Sequence, residues 1–398
     1  VGVVHPQPGA PRRFIYNETV IGGGKYYFGT TPSQYTSVRL GEFPNPNVGW
    51  EKAKKLNLGA DLSFFNQLNI SVDYFKENRE GIFLQRKSIP MYVGLSTKPW
   101  VNIGKMRNSG IDASLEYHQP LGKDLHLTVR GNFTYARNRI MDQDEPDYAY
   151  TYMNHSGQMQ WQKFGLVAAG LFQDQEDIDS WAKQSFGEVK PGDIKYLDLN
   201  GDGIVDNYDT KPIGYSDIPE IVYGFGFSLQ WKAFDFSAFF QGVGKRDYYF
   251  NAYGGQGAGE KGAAFWGATV GGRWESLFFD EHLDYWRDDT SLLGENYDAY
   301  YARPLYFTNK NRETQTRYLQ DGSYLRLKNL QIGYTFPAGL MKKIYIQNLR
   351  IFFTAENLHT WTKMTKVIDP ESLEVSKMKA GGSYPLSRTF AFGLSVTL

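Results

Sequence analysis

Period-2 alternation is the feature that most limits what this chain can become. In TFAFGLSVTL (389–398), Phe390, Phe392, Leu394, Val396 and Leu398 fall on one face, and Ala391, Gly393, Ser395 and Thr397 on the other. IVYGFGFSLQWK (221–232) sets Ile221, Tyr223, Phe225, Phe227, Leu229 and Trp231 against Val222, Gly224, Gly226, Ser228, Gln230 and Lys232. KLNLGADLSF, LNISVDY, IDASLEY, LHLTVRGNFTY, FDFSAFF and LRIFFTAEN repeat the pattern. LRLKNLQIGYTF changes phase between Leu327 and Leu330, which predicts a bulge near Lys328-Asn329. Successive side chains of a strand point to opposite faces, so these segments predict about nine strands, each with one apolar and one polar face. The polar face carries full charges, among them Asp61, Asp73, Asp112, Glu116 and Arg130. Both a sandwich and a membrane barrel alternate in this way, so alternation alone does not choose between them.

The connections choose. FNQL, HQPLGKD, WKAFD and PAGLMKKIYIQN are short, whereas the links at 86–101, 142–218, 248–316 and 359–385 are long, and the two kinds alternate strictly. Short turns at one end and long loops at the other mark an up-and-down outer-membrane barrel, and a Greek-key sandwich has no reason to keep that parity. If the last strand ends in the periplasm, every long link lies outside the cell. Mean hydropathy is only −0.48 and no run of 18 apolar residues occurs, as expected when strands rather than helices cross the bilayer. Aromatics make up 16% of residues, too many for a disordered chain. Lysine plus arginine and aspartate plus glutamate both number 43, so no global charge points to nucleic acid. With no cysteine, disulfide frameworks and thiolate chemistry are excluded. The first residue is Val1, without a signal peptide, so the chain reads as a piece of a longer precursor.

DLNGDGIVDNYD (198–209) has the spacing of a calcium loop. Asp198, Asn200 and Asp202 hold the first, third and fifth positions, Gly203 the sixth, Asp206 the ninth and Asp209 the twelfth. The expected ligands are these side chains and the Ile204 carbonyl. The enclosing stretch 142–218 contains 15 acidic and 5 basic residues, a net of −10, which suits a hard cation. The bland alternative is a metal-free turn closed by Asx side chains on their own backbone. PGDIKY before the loop and KPIGYSDIPEIVYG after it are not helical, so the loop is borrowed and not part of an EF-hand or dockerin.

No catalytic constellation emerges. GAGEKG (257–262) fits GxGxxG only formally, GVGKRD lacks the P-loop hydroxyl residue, and neither HExxH nor GxSxG occurs. Trp161, Trp181, Trp266, Trp274, Trp286 and Trp361 fall in or beside the long links. Interface girdle or loop packing is the default reading for each. Trp161, Trp266, Trp274 and Trp286 are also candidates to stack on sugar rings.

Several stretches together resemble SusC/RagA-type TonB-dependent outer-membrane transporters of Bacteroidetes. They are NPNVGWEKAKKLNLGADLSFF, NIGKMRNSGIDASLEY, GLFQDQEDI, PGDIKYLDLNGDGIVDNYD, YGFGFSLQWKAFDFSAFFQGVGKRD, DGSYLRLKNLQIGYTFP and ENLHTWTKMTKVIDPE, in that order. The resemblance implies a 22-stranded barrel plugged by an N-terminal domain, with a SusD-like surface lipoprotein as lid. It further implies TonB-driven import of oligosaccharides or, in some branches, peptides, and no enzymatic step. The plug and roughly the first thirteen strands of such a barrel have no counterpart here. The chain therefore resembles the C-terminal part of the barrel, 1–398, with 142–218 as an acidic extracellular loop. A passive porin-like barrel and a calcium-dependent surface adhesion protein are the rival readings.

Overall fold

The computed structural model describes residues 14–30, 33–41, 43–95, 97–249, 280–304, 311, 313–366, 368–373 and 386–397. Two strands, β1 (Val20–Phe28) and β2 (Ser33–Leu40), form a separate antiparallel ribbon. Nine others form one sheet: β3 (Lys52–Phe64), β4 (Leu68–Gln85), β5 (Trp100–Pro120), β6 (Leu125–Asp142), β7 (Ile221–Trp231), β8 (Phe234–Gly244), β9 (Tyr324–Thr335), β10 (Asn348–Thr362) and β11 (Thr389–Thr397). Their spatial order follows the chain from β3 to β11, an up-and-down meander, and the sheet is open at those two strands. These are the nine strands that alternation predicts. Alternation does not predict the ribbon, because Gly22–Gly24 interrupts it, and the register shifts there between Gly22 and Lys25.

The chain divides into two compact units. One comprises 1–57, 75–109 and 137–160, and includes the ribbon and the links that follow β4 and β6. Asp144 organises those links, accepting from Arg86 Nε at 3.0 Å, Lys87 N at 2.7 Å, Ser88 N at 3.1 Å and Ser88 Oγ at 2.9 Å. Burial alone would raise this carboxyl, but the Arg86 guanidinium and the Ser88 and Lys87 donors outweigh it and hold it down at about 2.

The second unit comprises 58–74, 110–136 and 161–398. Its registers explain how the two faces differ. Phe225 pairs with Phe240 and Phe240 with Leu327, while Leu229 pairs with Phe236 and Phe236 with Ile332, so apolar side chains line up in rows. The intervening rows are polar: Ser228, Ser237 and Gln331 in one, Gln230 and Asp235 in the next. Ion pairs hold the polar face together, Arg130 to Glu116 at 2.8 Å and Arg350 to Asp235 at 2.6 Å. Among the described residues the apolar face is left uncovered along much of its length, and Phe392 is 86% and Leu58 62% exposed. The expected bulge is present, since the β9–β10 register shifts between Leu327 and Asn329. Gly226 answers a close approach, because a Cβ there would stand 2.8 Å from the Ala238 carbonyl and 3.1 Å from the Phe239 ring.

Candidate functional site

The described parts of the second unit's long links pair and pack among themselves. Lys163–Gly165 pairs with Lys211–Ile213, Ala168–Leu171 with Ile194–Tyr196, and Asp247–Tyr249 with Leu319–Asp321, all antiparallel. Lys183–Gln184 runs parallel to Ile204–Val205. Around these ladders Leu166, Leu171, Ile194, Tyr196, Val205, Tyr248, Tyr249, Trp286, Tyr301, Tyr318 and Met364 form a hydrophobic core. Burial pushes the Tyr196 hydroxyl well above its ordinary value and Tyr318 up to about 12, so the core carries no tyrosinate charge.

PGDIKYLDLNGDGIVDNYD supplies two anchors of this assembly. Gly192 has φ +85°, and the Trp286 ring sits where a Cβ would be, 2.4 Å from that position. Asp193 is fully buried and accepts from Arg303 Nε at 2.8 Å, Asn311 Nδ2 at 2.9 Å and Lys190 N at 2.8 Å. Ile194 and Tyr196, next in line, point into the core. At the far end Asp209 is fully buried too. Its Oδ1 accepts from Leu199 N at 2.7 Å and Asn200 N at 3.3 Å, and its Oδ2 from Asp206 N at 2.8 Å.

The six expected calcium ligands lie in one closed loop. Asp198 accepts from Gly201 N at 2.7 Å and Gly203 N at 2.8 Å, Asn200 from Asp202 N at 2.9 Å, Asp202 from Ile204 N at 2.8 Å, and Asp206 from Tyr208 N at 2.7 Å. The loop is thus closed by backbone amides, the arrangement that Asx residues favour. Among the described residues no three acidic or histidine side chains converge as a cation site. The chemistry of the donor set still suits a hard ion: a carboxylate offers about four lone-pair positions, and the amides occupy only some of them.

The aromatic candidates separate by burial. Trp161 is 57% exposed, whereas Trp286 belongs to the core at 7% exposure and packs edge-on to the exposed Tyr297. Trp266 and Trp274 lie outside the described residues. Trp181 is half-buried, donating to the Tyr196 carbonyl at 2.7 Å beneath the Lys195 ammonium. Trp361 stands on β10 and closes a line of rings on the apolar face, with His359 at 4.5 Å and Phe240 at 6.4 Å, and Phe225 stacked on Phe240 at 5.0 Å. A second line crosses the opposite end of the same strands: Trp231 with Phe234 at 6.2 Å, Phe234 with Tyr334 at 4.7 Å, and Tyr334 with Phe336 at 5.0 Å.

A nine-strand meander, a bare apolar face bounded by two aromatic lines and a profile match settle the family. The profile described as TonB dependent receptor-like, beta-barrel matches residues 16–358. The chain belongs to that family. Among relatives of this TonB-dependent receptor barrel is TonB-dependent receptor P3 of Formosa agariphila, 28% identical over 95% of this chain and 37% of its own length. TonB-dependent receptor SusC of Bacteroides thetaiotaomicron is 24% identical over 94% of this chain and 34% of its own. The receptor barrel described here thus spans little more than a third of such relatives. Its backbone superposes on the structure of the RagAB peptide importer in the open-open state with a TM-score of 0.63, at 20% identity, over 98% of this chain and 38% of that one.

Proposed function

We propose that this receptor barrel is the C-terminal membrane portion of an outer-membrane nutrient importer, energised by TonB through parts of the protein outside this chain. The observation that carries the proposal is the bare apolar face between two aromatic lines. Trp361 is level, through Leu325 and Gly242, with Tyr223, eight residues from Trp231 on β7. At about 3.4 Å per residue that is about 27 Å along the strand, or about 21 Å along the axis at a tilt near 40°, close to the roughly 25 Å lipid-facing band of such barrels. The polar face then lines the lumen, and the packed links form the outer mouth.

In this reading the mouth receives substrate beneath a SusD-like surface lipoprotein, and the chain performs no chemistry of its own. Oligosaccharides are the proposed cargo, with the exposed Trp161 as a ring that can stack on a sugar face. Peptides are the second reading, favoured by the shared fold with the RagAB peptide importer. We also propose that the loop of Asp198, Asn200, Asp202, Ile204, Asp206 and Asp209 takes Ca²⁺, supported by the spacing of its oxygen donors. The ion would neutralise part of an acidic surface and stiffen it.

The test is to purify the full-length protein from native membranes in mild detergent, identify what accompanies it, and titrate the complex with glycan and peptide libraries. A co-purifying lipoprotein and saturable glycan binding are expected. A lone barrel that passes solutes without TonB would overturn the importer reading, and peptide-only binding would move the cargo to the second reading.

A further inference from the structure

Among the described residues of the last long link, 368–373 are fastened to the polar face around Arg326. Arg326 on β9 is 3% exposed, and its guanidinium donates in three directions: Nε to Thr360 Oγ1 at 2.7 Å, Nη1 to Glu371 Oε2 at 2.8 Å, and Nη2 to Asp369 Oδ1. Lys328 donates to the other Glu371 oxygen at 2.9 Å. Arg246, buried just beyond β8, donates to the Pro370 carbonyl at 3.1 Å. Asp369 in turn accepts from Glu371 N at 2.9 Å and Leu386 N at 3.1 Å, which closes the segment on itself. The other flank of the same segment is apolar. Ile368 and Leu373 pack against the outer core, to which the nearby Met364 belongs.

Residues 368–373 therefore touch two things at once: a cationic patch on the sheet wall and the core formed by the long links. We propose that these residues are a latch that fastens the core of the long links to the polar wall, and that this core loosens from the wall when the latch unhooks. The latch works through charge. Two buried guanidinium groups, Arg326 and Arg246, and the half-buried Lys328 ammonium meet two carboxylates and a carbonyl, where removing either side leaves the other unpaired. The inference rests on the importer reading only for calling the polar face a lumen; the fastening itself is independent of transport.

The test is hydrogen–deuterium exchange on the full-length protein in detergent, comparing wild type with the double variant Asp369→Asn, Glu371→Gln. Both changes keep the side-chain shape and lie on the link, not on a strand. Exchange at 368–373, 386–388 and 280–304 is expected to quicken at least about tenfold, while β9 and β10 keep their protection. Unchanged exchange at 280–304 would show that the core is held without the latch, and exchange rising along β9 and β10 as well would show that these pairs belong to the wall's own stability. Either result overturns the proposal. If the double variant fails to insert, Glu371→Gln alone leaves Asp369 on Arg326 and should give a smaller rise in the same segments. No rise there overturns the proposal equally.

Discussion

Two carboxylates in the outer core, Asp193 and Asp209, hold their positions by different means. Asp193 meets a guanidinium, an amide side chain and one backbone amide, whereas Asp209 meets only backbone amides, three of them. Asp209→Ala strands those donors away from water, and we expect it to cost about 2–4 kcal/mol of local loop stability. Asp193→Ala should cost about 3–5 kcal/mol, because it leaves Arg303 uncompensated in a mostly buried place. Protease resistance of the 161–220 segment, measured against denaturant, checks both. Asp202→Ala spares these anchors. It is expected to abolish calcium protection of the loop while leaving its protease resistance in chelator unchanged, and equal behaviour of wild type with and without calcium would remove the ion from the account. Asp144 supplies a pH dependence. Its folded carboxyl titrates at about 2 against an ordinary 3.8, so its stabilisation is complete above about pH 4 and is lost as pH falls toward 2. Protection of residues 86–88 should decline over that window, and Asp144→Asn should abolish the decline.

Strands carry the clearest record of themselves in the sequence. All nine sheet strands, and the bulge beside Lys328, are legible because each row of the sheet alternates between a lipid-like and a water-like environment, and the residues follow. The outer core left no such trace. Tyr196, the pair Trp286 and Tyr301, and Met364 come from three separate links with no shared period, and they meet only because the sheet brings those links together. Gly192 was readable in retrospect: a glycine between Pro191 and Asp193 left room for a ring whose position nothing local specified. The calcium-like spacing of 198–209 was legible as spacing alone, since Asx residues serve amides and cations equally well. The element scale also gives a depth-dependent prediction. Phe390 is level with Ala355, Leu330, Ala238 and Phe227, midway between the aromatic lines, while Phe234 lies on one of them. Phe390→Arg should cost about 2–4 kcal/mol of barrel stability, and Phe234→Arg about 0–1 kcal/mol. Equal costs, from reversible folding into lipid vesicles, would contradict the assigned band.

For the whole molecule, we propose that the packed links and the short turns lie on opposite sides of the outer membrane. The polar face toward the lumen and the aromatic lines at the two interfaces follow from that proposal. Because this chain has no cysteine, single cysteines can report on it directly. Tyr208, 49% exposed in the acidic loop, and Lys123, exposed in the turn between β5 and β6, sample the two ends. The decisive measurement is labelling of Tyr208→Cys and Lys123→Cys, each in the full-length protein on intact cells, with a maleimide that cannot cross the outer membrane and with the unsubstituted protein as background. Labelling is expected at 208, and none at 123 until the outer membrane is opened. Labelling at 123 on intact cells, or none at 208, would contradict it.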